Sequence, residues 1–271
     1  RYRGSQAAQA PFDAPAAPSY ASLFLRQLGP LLRGLGSLRA IASSLRRSFR
    51  PTFKAIEDGR NEFVRLRLGP PECAAMARSA EDWGVTQNDL FVTILLMALS
   101  PLAARRRQEA DRCNLAIASI VNIRRDFGSE AQRAFTPLLA SFHISEPVPD
   151  GISVKELAQS VHRESHRIRR GKLYLQTLLG LGLAAIQWRF LSLERRQGVF
   201  AKHHAVWAGT TPLNVAPLWA EGGSAGPAPE YLRGVSTGPS APMICAISTV
   251  DEVVNVGMTY RTAAFDRNVV E

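Results

Sequence analysis

The segments WGVTQNDLFVTILLMALS at residues 83–100 and NLAIASIVNIRRDFG at residues 114–128 decide the fold. The first predicts a helix, because Thr86 is a good N-cap and Asp89, three residues later, completes a capping box. Apolar residues recur behind it at helical spacing: Leu90, Phe91, Ile94, Leu95, Ala98 and Leu99. Pro101 is predicted to end this helix. The second segment predicts a covered strand with the apolar residues Leu115, Ile117, Ile120 and Ile123.

Further strands and helices flank these two segments. Residues 62–68 and 135–148 have the pattern of strands. Residues 70–81 predict a helix that begins with two prolines and ends before a glycine. Residues 154–170 predict another, with Ser153 as N-cap and Glu156 as the partner in a capping box. Two apolar, β-branched runs at 243–248 and 253–260, with a turn near Asp251, predict an antiparallel pair. The pattern favours an α/β (α+β) fold.

A basic and apolar segment precedes these elements. Residues 1–20 are rich in Ala, Pro, Ser and Gln and predict a linker or surface loop. In residues 21–50 leucines alternate with arginines, which predicts an amphipathic helical segment. We expect it to be interrupted at glycine and proline positions, namely Gly29, Pro30, Gly34 and Gly36. The predicted domain division is therefore 1–54 for the linker and amphipathic segment and 55–271 for the folded half-domain.

Two interpretations of residues 21–50 stay open. The leucines would enter the headgroup region of a membrane while the arginines meet anionic lipid. Alternatively, two short helices pack on the domain and leave the arginines in solvent. The same choice applies to the predicted helix over 154–170, whose basic face is either solvated or a phosphate site: His162, Arg163, His166, Arg167, Arg169 and Arg170. Residues 173–191 are the most apolar run, for which we favour a packed or interfacial helix over a spanning one.

Composition and charge limit the possible classes of protein. The 271 residues suffice for one large domain or two small ones, with 46% hydrophobic residues. A net charge of +10 favours anionic partners such as a phosphorylated cofactor, a lipid headgroup or a nucleic acid. Cys73, Cys113 and Cys245 are far apart, which predicts reduced thiols and a cytoplasmic protein. If residues 21–50 meet lipid, we expect the protein to be peripheral at the inner membrane or at lipid droplets. Because the chain begins with Arg1, we expect a fragment or a processed piece.

The central segments resemble a known superfamily. The helix start G-V-T-x-N-D at 84–89, the apolar helix behind it and the strand ending V-N-I-R at 121–124 resemble the C-terminal half of chloramphenicol-acetyltransferase-like acyltransferases. That superfamily includes the condensation domains of peptide synthetases and the wax ester synthase/diacylglycerol acyltransferases. The second group is the more similar, because Asn88 and Asp89 resemble its Asn-Asp helix motif. The end of the chain is similar in order, with a strand near 213–219, a long loop and two closing strands. The resemblance covers roughly 55–271 and implies a mixed sheet flanked by helices, one half of a two-half fold.

The resemblance also implies roles for individual residues. Asn214 matches the asparagine of the family's Ser-Asn-Val segment near the active-site tunnel, although Leu213 stands where the serine is expected. Four residues of the central segments are expected to hold the half together: Asn88, Asp89, Asn122 and Arg124. Asp89 also suits the positive end of the helix dipole.

The catalytic motif of the family is His-His-x-x-x-Asp-Gly in the N-terminal half, and its second His is the general base. One near-match occurs here, in which His203 and His204 are followed by Ala208 at the position of the Asp. This near-match lies just before the Asn214 segment. In the family, the motif instead precedes all the segments that resemble this chain. We therefore expect the base upstream of this chain and keep His204 as the candidate within it.

The implied function is transfer of an acyl group from acyl-CoA to an alcohol, as in wax ester or triacylglycerol synthesis. The coenzyme A thioester is then a co-substrate and no cofactor or metal is bound. The implied partners are acyl-CoA, an alcohol or lipid acceptor and the N-terminal half of the fold. An anionic membrane surface is a further partner if residues 21–50 meet lipid. The alternative is a non-catalytic binding or membrane-surface module. Nucleic acid is not expected, because aromatic residues are few and no known binding motif occurs.

Overall fold

A six-stranded mixed sheet with helices packed against it forms the centre of the chain. The computed structural model describes residues 18–104, 112–129, 131, 134, 136–147, 151–192, 195, 205–217, 230–238 and 240–271. The strands are β1 (Asn61–Leu68), β2 (Asn114–Asn122), β3 (Leu139–Pro147), β4 (Val206–Asn214), β5 (Met243–Val250) and β6 (Val253–Arg261). The helices are α1 (Tyr20–Arg26), α2 (Leu28–Arg46), α3 (Pro70–Trp83), α4 (Gln87–Ala104), α5 (Arg124–Phe127), α6 (Val154–Arg170), α7 (Tyr174–Trp188) and α8 (Arg267–Val270).

The strand order in the sheet is β1-β6-β5-β4-β2-β3. The three neighbouring strands β5, β4 and β2 run parallel to one another. The strands β6 and β1 continue the sheet antiparallel on one side, and β3 does so on the other. Parallel strands need cover on both faces, which explains why consecutive residues of β2 and β4 are buried rather than alternate ones. This architecture confirms the predicted fold class of a mixed sheet flanked by helices.

The helix α4 begins as predicted and ends later than predicted. The Thr86 hydroxyl accepts from the Asp89 N–H at 3.2 Å, and the Asp89 carboxylate accepts from the Thr86 N–H at 3.1 Å, so the capping box forms. Pro101 does not end the helix, which continues to Ala104. Only one turn follows Pro101, so the proline ring disturbs only the end of the helix. The burial of Leu99 and Ala103 holds this last turn in place.

The amphipathic segment forms the helices α1 and α2, and the predicted interruptions are wrong. The chain breaks at Gln27, and α2 then runs without a break through Gly29, Pro30, Gly34 and Gly36. Pro30 is tolerated because it lies in the first turn, where the backbone N–H groups have no partner within the helix. Leu23, Leu31 and Phe49 belong to the same hydrophobic core as the sheet. The boundary after residue 54 stays a prediction.

Gly34 brings α2 close to α7. A Cβ at this position would lie 2.1 Å from Nε2 of the buried Gln176, which donates to the Leu31 carbonyl at 2.9 Å. A Cβ at Gly36, two residues on, would meet nothing within 4 Å.

We expect Gly34→Ala to lower the free energy of unfolding by about 2 kcal/mol, because the added methyl displaces the Gln176 amide. Gly36→Ala is the matched control and should raise it by about 0.5–1 kcal/mol, since alanine loses less backbone entropy in a helix. Urea denaturation of both variants measures the difference. Equal effects of the two substitutions would contradict the packing of α2 against α7.

The remaining predicted elements form with small changes of boundary. The helices α3 and α6 and the hairpin of β5 and β6 are confirmed, with Asp251 at a φ of 50° in the turn. The prediction for 135–148 corresponds to β3. The strand predicted near 213–219 is misplaced, because β4 ends at Asn214. Its buried part is Val206 to Thr211, which precedes the stretch that the resemblance emphasised.

The helices contain no clear transmembrane segment in the part of the chain that the structure describes. No single described helix is long and apolar enough to cross a bilayer. The helices α3 and α4 reach that length and composition only when taken together, and they meet at a bend of 100°.

Cys73, Cys113 and Cys245 are free thiols, and burial raises the pKa of Cys245 to about 12.

Candidate functional site

Asn122 and Asn214 lie at the carboxyl ends of two neighbouring parallel strands. The strands β2 and β4 are paired up to Ser119 and Thr210, a few residues before the two asparagines. Both side chains are exposed, and both accept an N–H from two residues further on: Asn122 from Arg124 at 3.0 Å, and Asn214 from Ala216 at 3.2 Å. The carboxyl edge of parallel strands is where open α/β sheets bind ligands. This edge is therefore the candidate functional site.

Arg124 supports this edge without being free for a ligand. Its guanidinium donates to three backbone carbonyls, those of Ala131, Ala134 and Thr136, at 2.6–3.0 Å. The side chain thus holds the chain that leaves β2 against the chain that enters β3. This placement suits the structural role that the resemblance implied for Arg124.

A segment at residues 230–238 crosses the sheet near the same edge. The Arg233 guanidinium donates to the carbonyls of Thr211 and Ile247 and to the Ser248 hydroxyl, so it links β4 and β5. Burial lowers the pKa of Arg233. A Cβ at Gly257 would lie 2.0 Å from the Arg233 carbonyl oxygen, so only glycine allows this approach. The segment was not predicted as part of any site.

Asp89 lies at the centre of a buried polar cluster between α4 and α6. Its carboxylate is fully buried. It accepts from the Thr86 hydroxyl at 2.6 Å, from Nδ1 of His162 at 2.8 Å and from the Ser165 hydroxyl at 2.6 Å. Burial pushes the pKa of Asp89 upward, but the hydrogen bonds from Ser165, Thr86 and His162 outweigh it and hold that pKa below its usual range. The carboxylate is charged at neutral pH and joins the two helices.

The cluster contains Asp, His and Ser but is not a nucleophilic triad. In such a triad the serine hydroxyl is hydrogen-bonded to the imidazole, which takes its proton. Here the Ser165 hydroxyl donates to Asp89 instead, and the side chain is only 2% exposed. Asp89 fixes the His162 ring through Nδ1, and this imidazole is 30% exposed. The arrangement is suited to structural support more than to acyl transfer.

Sequence reasoning found Asp89 but placed His162 wrongly. The prediction assigned His162 to a basic face, whereas the structure turns it toward Asp89. Arg169 is only half exposed and its guanidinium lies 5.7 Å from the Phe142 ring centroid. A signal for the cluster exists in the sequence, since Ser165 continues the apolar stripe of α6 at four residues from Val161.

A second buried acid, Asp126, was missed. Its carboxylate accepts from the Tyr174 hydroxyl at 2.8 Å and pairs with the Lys172 ammonium at 2.7 Å. Lys172 also donates to Gln27 at 3.0 Å. Burial, followed by the bond to Asp126, raises the pKa of Tyr174. The cluster joins α5, α7 and the junction of α1 with α2, and no local pattern predicts contacts between residues so distant in the chain.

The other predicted site residues are placed as follows. Asn88 lies in the first turn of α4, beside Asp89, and its buried amide has no partner among the described residues. His203 and His204 lie outside the described residues, so the near-match to the catalytic motif has no structural counterpart here. Within the described ranges, no three His, Cys, Asp or Glu side chains are grouped so as to hold a metal ion.

Comparison with known proteins identifies the class of fold. No protein-family model and no curated protein matches the chain. Among solved structures, it is similar to the epimerization domain from the third module of tyrocidine synthetase B, with a TM-score of 0.59 and 12% identity. It is similar to the cyclization-docking bidomain of EpoB from Sorangium cellulosum, with a TM-score of 0.62 and 9% identity. It is also similar to a condensation domain of the enacyloxin polyketide synthase, with a TM-score of 0.60 and 12% identity.

These likenesses cover nearly all of this chain and half of each neighbour. They span 92%, 93% and 94% of the chain, but 54%, 48% and 48% of the respective neighbours. The chain thus has the fold of one half of a condensation-domain-like structure, as the resemblance implied. At such identities the likeness concerns the fold, and no activity follows from it directly.

Proposed function

We propose that the chain is the C-terminal half of an acyltransferase that moves an acyl group from acyl-CoA to an alcohol, with acceptors such as those of wax ester or triacylglycerol synthesis. The observation that carries this proposal is the fold, which is that of half a condensation-domain-like protein. One of the similar structures is a condensation domain that mediates chain release from the enacyloxin polyketide synthase. An acyl acceptor that attacks a thioester is the chemistry that such a fold would serve.

The reaction needs a general base. A neutral imidazole takes the proton of the alcohol, whose oxygen attacks the thioester carbonyl. The tetrahedral intermediate collapses by breaking the C–S bond, and the imidazolium returns the proton to the departing thiolate. We propose that this base lies in an N-terminal half of the same fold, with His204 as the candidate inside the chain. His162 is held by Asp89 and supports α4 and α6.

In this proposal the carboxyl edge of β2 and β4 faces the acyl group. The Asn214 Oδ1 is occupied by the Ala216 N–H, so the amide NH₂ is the part of the side chain that remains to donate to a substrate oxygen. A donor aimed at the developing oxyanion stabilises the transition state more than the ground state.

We expect Asn214→Ala to lower kcat/KM for thiol release about tenfold to a hundredfold in the polypeptide that carries both halves. Asn214→Asp keeps an oxygen that accepts from the Ala216 N–H, so the variant should fold normally. It should still lower kcat/KM, because it lacks the amide NH₂. Asn268→Ala, at another exposed asparagine, is the control and should have no effect. A rate retained by Asn214→Ala would remove this residue from the site.

A second function is favoured by one observation, which is the exposed apolar surface of α1, α2, α7 and the residues just after α7. Its large side chains are Leu25, Leu28, Leu32, Leu35, Leu181, Ile186 and Phe190. Exposed arginines accompany it on α2, so a membrane-surface module, or an enzyme peripheral at an inner membrane or lipid droplet, is the alternative. Such a module would bind anionic vesicles without catalysing transfer.

Vesicle co-sedimentation tests this alternative. A variant with Arg33, Arg39, Arg46 and Arg47 replaced by Glu should lose binding to anionic vesicles if the surface meets lipid. Unchanged binding to the vesicles would rule out an electrostatic contribution from these arginines. In a separate assay, enzyme activity of the isolated chain would rule out a purely non-catalytic module.

A further inference from the structure

A cavity of about 270 Å³ lies between α2, β3, α6 and α7, apart from the carboxyl edge. Its walls are largely apolar, with Leu45 from α2, Phe142 from β3 and Ile168 from α6 among them. For scale, a cavity of about 150 Å³ holds benzene, so this one has room for a ring with a short polar extension.

Glu146 is the charged group of this cavity that forms no ion pair with a described residue. The other charged residues of the lining, Glu164 and Arg167, neutralise each other through two hydrogen bonds of 2.7 and 2.8 Å. Glu146 accepts a hydrogen bond from the Ser160 hydroxyl at 2.9 Å. Among the described residues it forms no ion pair. In a chain of net charge +10, an unpaired and partly buried carboxylate is unusual and requires a reason.

The electrostatics around Glu146 favour a cation. Burial raises the pKa of Glu146, and the nearby Glu164 carboxylate raises it further, although the Ser160 hydroxyl and Arg163 act in the opposite direction. A positively charged ligand in the cavity would form the ion pair that Glu146 does not form with any described residue. An anion would be repelled by the Glu146 carboxylate, and a neutral ligand would leave Glu146 without an ion pair.

We propose that this cavity binds a small protonated primary amine with an apolar group, whose ammonium pairs with Glu146 and whose apolar part contacts Phe142, Ile168 and Leu45. The site is separate from the proposed transferase site and does not depend on it. Isosteric probes distinguish charge from shape, because benzylamine, benzyl alcohol and benzoate differ mainly in the group that would meet Glu146.

Isothermal titration calorimetry of the whole chain at neutral pH tests the proposal. We expect saturable 1:1 binding of benzylamine, at least tenfold weaker binding of benzyl alcohol, and none of benzoate. Glu146→Gln should reduce benzylamine to the affinity of the alcohol, since the glutamine oxygen still accepts from Ser160 and keeps the wall intact. Glu81→Gln, at an exposed acid on α3, is the control and should leave the affinity unchanged.

A second variant keeps the test decisive if Glu146→Gln does not fold. Ser44 lines the cavity, and its carbonyl rather than its hydroxyl accepts from Ser48, so Ser44→Phe fills the space without a change of charge. It should abolish binding of both the amine and the alcohol. Equal affinity for amine and alcohol, preference for the amine in Glu146→Gln, or no saturable binding of benzylamine would each overturn the proposal.

Discussion

Replacing Asp89 with alanine is expected to lower the free energy of unfolding by about 3 kcal/mol or more, because it leaves buried donors without an acceptor. The carboxylate is fully buried and accepts from the Thr86 N–H, the Thr86 hydroxyl, His162 and Ser165. The substitution removes the N-terminal cap of α4 and its tie to α6 in one step. Urea denaturation at neutral pH measures the loss.

Asp82→Ala is the matched control. Asp82 is exposed near the end of α3, and its substitution should change the free energy of unfolding by no more than about 0.5 kcal/mol. A loss below about 1 kcal/mol in Asp89→Ala would show that the cluster does not join the helices as described.

The stability that Asp89 contributes depends on pH in a defined direction. Its pKa is held below the ordinary value of 3.8 in the folded chain, so the folded state binds the proton less tightly than the unfolded state. The contribution is therefore present above about pH 4 and is lost as pH falls through the folded pKa. Between about pH 6 and about pH 2, the free energy of unfolding should decrease less for Asp89→Ala than for the unchanged chain. Urea denaturation at each pH measures this free energy.

Replacing Gly257 with alanine is the second substitution for which we expect a large effect, about 3 kcal/mol of lost stability. The added Cβ would lie 2.0 Å from the Arg233 carbonyl oxygen and 2.9 Å from the Phe63 ring. The ring can rotate, but the carbonyl belongs to the main chain. Residues 230–238 must therefore move away from β6, and Arg233 then loses its bonds to β4 and β5.

Two measurements check this displacement. The denaturation midpoint should fall, and trypsin should cleave faster after Arg233, whose side chain is otherwise half-buried. Gly238→Ala is the control within the same segment, because a Cβ there meets nothing within 4 Å, and it should leave both properties nearly unchanged. Unaltered cleavage in Gly257→Ala would contradict the path of the segment over the sheet.

The local elements could be predicted because their signals lie within a few residues. The Thr86 and Asp89 capping box, the Ser153 cap of α6 and the apolar run of β2 each follow from adjacent side chains. The same local reasoning failed where tertiary packing decides. The helix α2 continues through Gly34 because that glycine fits against Gln176, which lies far away in the sequence.

The sites show the same division. Asn122 and Asn214 were named from the sequence, but their position at one sheet edge depends on the parallel pairing of β2 with β4. The second role of Asp89, as the acceptor for His162 and Ser165, depends on how α4 lies against α6. The strand pairing leaves no local pattern, and the packing of α4 against α6 leaves only Ser165 on the apolar stripe of α6. The capping role of Asp89 was therefore predicted and its buried cluster was not.

The most direct test of the proposed transferase half is thiol release from an acyl-CoA with a fatty alcohol as acceptor. The assay compares this chain, its His204→Ala variant and the polypeptide that also carries an N-terminal half with the His-His-x-x-x-Asp-Gly motif. We predict release only when both halves are present, and no effect of His204→Ala in that form. Release by the chain alone that His204→Ala abolishes would contradict the account, as would the absence of release when both halves are present.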